Sequence, residues 1–141
     1  MKLKKYPNWL VGFTSAEGCF YVSTGVSKTK IGYTVNLWFI LTQHSRDAAP
    51  ARSLAGYWQC GNVIMEPKNP VVRYRVSRFS ENLNIIIPFF EKYPIQGKKF
   101  KDFLDFCKVA NLINDKAHLT KEGFEKIKNI KKSMNTGREV I

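Results

Sequence analysis

Apolar and polar positions alternate along this chain with two different periods, and the places where the period switches mark the elements. Residues 7 to 18, "PNWLVGFTSAEG", form an apolar stretch of helical length that closes on Glu17 and Gly18. From residue 19 the period becomes two, with Phe20, Val22 and Thr24 on one face and Cys19, Tyr21, Ser23 and Gly25 on the other. "SKTKIG" reads as a basic turn, after which Val35, Leu37, Phe39 and Leu41 alternate with Thr34, Asn36, Trp38, Ile40 and Thr42. Two antiparallel strands joined by a hairpin are therefore expected. Residues 45 to 58 have helical length and a possible cap at Ser45, although Pro50 and a run of alanines weaken the pattern. A second hairpin follows over "CGNVIMEPKNPVVRYRVSRF", turning at "EPKNP", with Val72, Tyr74 and Val76 opposite Val71, Arg73, Arg75 and Ser77.

The rest of the chain is helical in pattern. Ser80 is a suitable N-cap for "ENLNIIIPFFEKY", which Pro88 is expected to kink or shorten. Phe103, Leu104, Cys107 and Ala110 share a helix face, and the last helix carries Phe124, Ile127, Ile130 and Met134 behind an N-cap at Thr120. The predicted order is α-β-β-α-β-β-α-α-α. This is an α+β fold with helices on one face of a four-stranded antiparallel sheet. One domain is expected over 1–141, with the first helix at about 7–18, the strands within 19–78 and the C-terminal helices at about 97–135.

Two local features do not follow from folding alone. Glu17 stands at the C-terminal end of the first helix, where the helix dipole disfavours a carboxylate by up to about 1 kcal/mol. Gly12 and Ala16 lie one helical turn apart, and a glycine inside a helix costs roughly 0.5–1 kcal/mol relative to alanine. Close approach of a second helix would offset that cost.

Composition narrows the partners. The 141 residues are 44% hydrophobic and carry Lys+Arg 23 against Asp+Glu 11, a net charge of +12 that points to a polyanion, nucleic acid before an anionic membrane surface. The 3 cysteines are odd in number and without metal-ligand spacing, which fits a reducing compartment better than a disulfide framework. No apolar run reaches the roughly 18 residues of a membrane span. The second face of the sheet gathers Tyr21, Ser23, Thr34, Asn36, Trp38, Thr42, Arg73, Arg75 and Ser77. Such side chains suit base edges in a major groove, and the lysines of the hairpin tip suit phosphates.

With those residues in place, "WLVGFTSAEGCF" closely resembles the motif of the LAGLIDADG homing endonucleases, aligned from Leu10 to Gly18. The resemblance continues through "LTQH", "CGNV", "YRVSRF", "KKFKDF" and "HLTKEGFEKI", and is strongest to the C-terminal half of two-motif members. It implies the LAGLIDADG fold and an Mg²⁺-dependent, site-specific hydrolysis of double-stranded DNA, with Ca²⁺ able to substitute without supporting cleavage. It implies Glu17 and the carbonyl of Ala16 as metal ligands, Gln43 as the residue orienting water, and Lys99, with Lys98 as its neighbour, stabilising developing negative charge. The DNA-contacting set it implies is Cys19, Tyr21, Ser23, Gly25, Lys28, Lys30, Thr34, Asn36, Trp38, Ile40, Thr42, Arg73 and Arg75.

Ser15 replaces an acid found in many copies of the motif, at a position that faces structure in the family. Only one motif is present, so cutting a duplex requires a partner. A homodimer through Trp9, Gly12, Phe13 and Ala16 is the simplest arrangement. The resemblance also suggests an intracellular, intron-encoded protein of mitochondria, although no targeting signal is visible. Two other functions share these features: a maturase-like cofactor binding intron RNA, and a non-cleaving or engineered half that binds DNA or serves as a scaffold.

Overall fold

Four antiparallel strands, β1 (Gly18–Val26), β2 (Tyr33–Gln43), β3 (Asn62–Met65) and β4 (Val72–Val76), lie in the order β1-β2-β4-β3. They belong to a computed structural model that describes residues 6–26, 32–44, 48–65, 68 and 70–134. Cys19 pairs with Ile40 and Tyr21 with Trp38, while Phe20 pairs with Phe39 and Val22 with Leu37, so the two periodic sets stay on separate faces. Phe20, Val22, Leu37, Phe39, Leu41, Val72, Tyr74 and Val76 are all buried on the inner face.

The helices cover that inner face. Helix α1 (Tyr6–Glu17) leads directly into β1, and α2 (Ala49–Trp58) connects the two hairpins. Helix α2 begins at Ala48 without a side-chain cap and carries Pro50 in its first turn, where a missing N–H costs nothing. Ser45, the expected cap, lies outside the described residues. Despite its alanines, α2 buries Ala51, Leu54 and Trp58. The Trp58 ring packs against Phe39, Phe89 and Tyr74. Farther along, α4 (Lys98–Asn114) sets Phe103 and Phe106 against Phe20, with ring centroids 5.3 and 5.2 Å apart.

Helix α3 departs from the simple expectation. It is built from three consecutive segments, Phe79–Glu81, a π-helical Asn82–Ile86, and Ile87–Lys92, so Pro88 does not end it. The widened turn just before Pro88 takes up the ring and the missing donor that would break a regular α-helix. Ser80 is not the cap either: the helix starts at Phe79, with Arg78 in the N-cap position. The reason for this earlier start is tertiary. Asn82 is fully buried and its Nδ2 donates to the carbonyls of Leu37 (2.9 Å) and Val76 (3.2 Å), fastening the first turns of α3 to β2 and β4.

The last helix, α5 (Lys121–Lys132), starts as its sequence predicts, with the Thr120 hydroxyl accepting from the Gly123 amide at 3.0 Å. A 3-10 turn, Ala117–Leu119, folds back onto that first helical turn. A Cβ at Gly123 would lie 1.9 Å from the Ala117 carbonyl oxygen. Gly123→Ala is therefore expected to destabilise the protein by about 2 kcal/mol, because forcing atoms into a packed contact outweighs the helix-propensity gain of about 1 kcal/mol. Thermal denaturation should show a fall of roughly 5–10 °C.

Candidate active site

The corner between α1 and β1 has no connecting residue: Glu17 ends the helix and Gly18 begins the strand. Only glycine fits at this corner, since a Cβ on Gly18 would lie 2.6 Å from Thr14 Cγ2 and 2.8 Å from the Thr14 carbonyl oxygen. Glu17 is thereby held at the tip of α1, exposed to solvent, with Ala16 exposed beside it.

The start of α4 and the loop before it are tied to the same corner. The Gln96 amide donates to Ser15 Oγ at 3.1 Å, and that hydroxyl donates to the Val11 carbonyl at 2.8 Å. Ser15 therefore faces structure, as the family resemblance implies. At the second residue of α4, Lys99 Nζ donates to the carbonyl of Gly18, the residue next to Glu17. The structure separates Lys99 from its neighbour in this way: Lys98 is exposed, whereas Lys99 is half-buried and bonded at the corner.

Gln43 closes β2 at the same end of the sheet. Gly18 pairs with Leu41, so Gln43 stands two residues past the corner, about 7 Å along the strand, and is paired with Val72. Lys99 is thus bonded at the residue after Glu17, and Gln43 ends the neighbouring strand two residues beyond the α1–β1 junction.

The donors at this junction suit a hard divalent cation. Glu17 offers a carboxylate, and Ala16 offers one of the last helical carbonyls, which lack intrahelical donors. Both are oxygen ligands at the negative end of a helix dipole. Among the described residues no three His, Cys, Asp or Glu side chains gather where they could hold an ion, so these two donors leave most of a coordination shell to phosphate oxygens, water or a second chain. Mg²⁺ is commonly held in this way, by one or two carboxylates together with substrate phosphates. No disulfide competes for the thiols among the described residues. Burial pushes the Cys60 thiol up against an opposing bond from Tyr74, and burial, with the charge of Glu91 adding, pushes Cys107 up to about 12.

The outer sheet face follows the predicted set. Cys19, Tyr21, Ser23 and Gly25 of β1 pair with Ile40, Trp38, Asn36 and Thr34 of β2, while Thr42 and Ile40 pair with Arg73 and Arg75 of β4. Lys28 and Lys30 lie outside the described residues. Trp38, conspicuous as an apolar ring on an open face, is covered by Arg75 and Tyr21. Asn62 and Ile64 of β3 join the same face by pairing with Arg75 and Arg73. Sequence alternation missed them because β3 has only four residues, with apolar groups on both faces.

The expected pairing face of α1 is open in the single chain. Gly12 and Ala16 are exposed and Trp9 is 42% exposed, stacked on half-buried Phe13 with centroids 5.2 Å apart. A Cβ placed at Gly12 would meet nothing within 4 Å. Among the described residues, nothing gives Gly12 a steric reason to be glycine.

A family model described as "LAGLIDADG endonuclease" matches residues 10–110, which include the α1–β1 corner, the whole sheet and Lys99. The chain belongs to this family. It is 35% identical over 127 residues to "Probable intron-encoded endonuclease 2" of Neurospora crassa, covering 90% of this chain and 27% of the relative. To "Probable intron-encoded endonuclease Cox1-I1b" of Schizosaccharomyces pombe it is 34% identical over 113 residues, covering 78% of this chain and 28% of the relative. Among solved structures, the LAGLIDADG homing endonuclease I-SmaMI bound to cleaved DNA superposes with a TM-score of 0.89 at 41% identity, covering 94% of this chain and 44% of that one. I-SmaMI on an uncleaved DNA target in the presence of calcium ions superposes with a TM-score of 0.87 at 40% identity, covering 92% and 44%. The LAGLIDADG fold is shared. The chain spans about a quarter of the curated relatives' length and under half of the solved ones.

Proposed function

We propose that this chain is one half of a site-specific double-strand DNA endonuclease that hydrolyses phosphodiester bonds with Mg²⁺ and acts as a homodimer, each subunit contributing one Glu17. The observation that carries this reading is the α1–β1 corner, where an exposed carboxylate ends a helix with a small-residue face, Lys99 is bonded to the next residue and Gln43 ends the adjacent strand. The DNA complexes of I-SmaMI support the substrate class. The net charge of +12 supports a polyanionic partner, and the absence of acids on the paired outer face favours DNA across the sheet.

Each residue has a definable task. Glu17, with the Ala16 carbonyl, would hold the cation, and Mg²⁺ bound there would supply polarisation of the phosphoryl oxygens. Gln43 carries an amide that both donates and accepts, which suits it to orient an attacking water. Lys99, fixed through Gly18, places an ammonium beside the developing charge. One subunit brings one carboxylate, so two strands require two copies, and a symmetric pair prefers a pseudo-palindromic target. The names of the intron-encoded relatives support an intron-encoded origin, and Cox1 in one of them supports the mitochondrion as compartment.

Incubating the purified protein with a randomised duplex library and Mg²⁺ tests the reading. Ends cut at a defined sequence are expected. Salt-sensitive binding without cuts would sink the nuclease assignment, and preferential capture of intron RNA would favour a splicing cofactor. Lys99→Met should slow cutting about 100-fold, the scale for losing one charge-stabilising donor, with binding in Ca²⁺ little changed. Single-turnover cleavage and filter binding would measure both.

A further inference from the structure

Across the outer sheet face, two cations and two rings form a single row. The Arg75 guanidinium carbon lies 5.0 Å from the centroid of the Trp38 ring, and the Trp38 and Tyr21 centroids are 6.0 Å apart. Lys131 of α5 ends the row, its Nζ 5.5 Å from the Tyr21 centroid. Tyr21 and Trp38 are direct partners across β1 and β2, whereas Arg75 pairs with Ile40 and reaches Trp38 on the diagonal. Trp38 is thus engaged by a cation and by a second ring and is only part-exposed on this face. The bases of an intact duplex are themselves stacked and have no free face for it to meet.

We infer that Trp38 is a positioning residue, and that Arg75, held by it, reads a G·C pair in the major groove. This inference rests on the DNA reading of the preceding section. Arginine is long and rotamer-rich, so an unheld guanidinium loses much of its advantage on binding, and a stacked one has already lost that freedom. The Nε of Arg75 is buried and has no hydrogen-bond partner among the described residues, which leaves a bidentate contact to the Nη end. No acid stands among the paired residues of this face to compete for that fork. Two adjacent acceptors matching it occur on the major-groove edge of guanine, at O6 and N7.

The full chain, without cutting and in Ca²⁺, should be used to select bound duplexes from a randomised library, comparing wild type with Arg75→Lys, Trp38→Ala and Trp38→Phe. Wild type is expected to favour G·C at one position of each half-site. Arg75→Lys, which keeps the charge but not the fork, should weaken that preference about 10- to 100-fold at that position alone. Trp38→Ala should relax the same position, and Trp38→Phe, which retains a ring, should relax it less. A Trp38→Ala change at a different base pair would overturn the inference, because Trp38 would then be reading a base itself. So would an Arg75→Lys profile identical to wild type. If wild type selects no duplex at all, the DNA reading fails and the inference fails with it. Circular dichroism of each variant separates these outcomes from misfolding, and Trp38→Phe provides the comparison should Trp38→Ala fail to fold.

Discussion

Glu17→Gln is expected to reduce duplex cutting in Mg²⁺ by on the order of 10³-fold or more, while binding of the same duplex in Ca²⁺ stays within a few-fold of wild type. The substitution keeps the size of the side chain and removes its charge. A neutral amide at the negative end of a helix is no worse for folding than the carboxylate, so stability should hold or rise by a few tenths of a kcal/mol. The loss falls on the cation, since the corner then offers only neutral oxygens, which hold Mg²⁺ poorly against its hydration shell. Phosphate contacts along the sheet are untouched, which is why affinity survives. Quantitative cleavage beside filter binding measures the separation, and a Glu17→Gln protein that still cuts at the wild-type rate removes Glu17 from the mechanism.

Gly12→Arg is the second large effect, and it acts in the opposite sense on folding and on activity. Among the described residues a Cβ at Gly12 meets nothing within 4 Å, and Gly12 is exposed. Replacing an interior helical glycine therefore stabilises the subunit by up to about 1 kcal/mol. A long cation on the face formed with Trp9, Phe13 and Ala16 nevertheless prevents a second helix from approaching closely. Cutting should fall more than about 100-fold as the paired state is lost, and the melting temperature should stay equal or rise. Size-exclusion chromatography on the DNA complex reads the assembly, and unchanged cleavage by Gly12→Arg would show that α1 pairing is not required.

Much of the fold is legible in the sequence. The buried face of each strand is readable because Phe20, Leu37, Phe39 and Tyr74 alternate with polar groups strictly enough that a one-residue slip would expose them all. Glu17 stood out because it violates helix electrostatics, and Gly12 because it violates helix propensity. What stayed hidden depends on contacts distant in sequence. The resemblance already selects Lys99, but the bond that distinguishes it from Lys98 needs the docking of α4 on Gly18, which lies 81 residues away along the chain. Asn82 reads as an ordinary helical polar residue until two strand carbonyls are found beneath it. The π turn of α3 lies between that attachment and Pro88, and only Pro88 is a local signal. The role of Trp38 needs its diagonal neighbour, because alternation assigns a face without assigning partners.

The central claim is that two copies of this chain, each supplying a Glu17, cut both strands. Its most direct test is the initial rate of double-strand cleavage of a selected duplex in Mg²⁺, measured against protein concentration at dilutions where sedimentation shows the free chain to be monomeric and the duplex is not saturated. The rate should rise with about the square of the concentration, because two chains assemble per site. A rate linear in protein, or breakage of one strand only, would contradict the account.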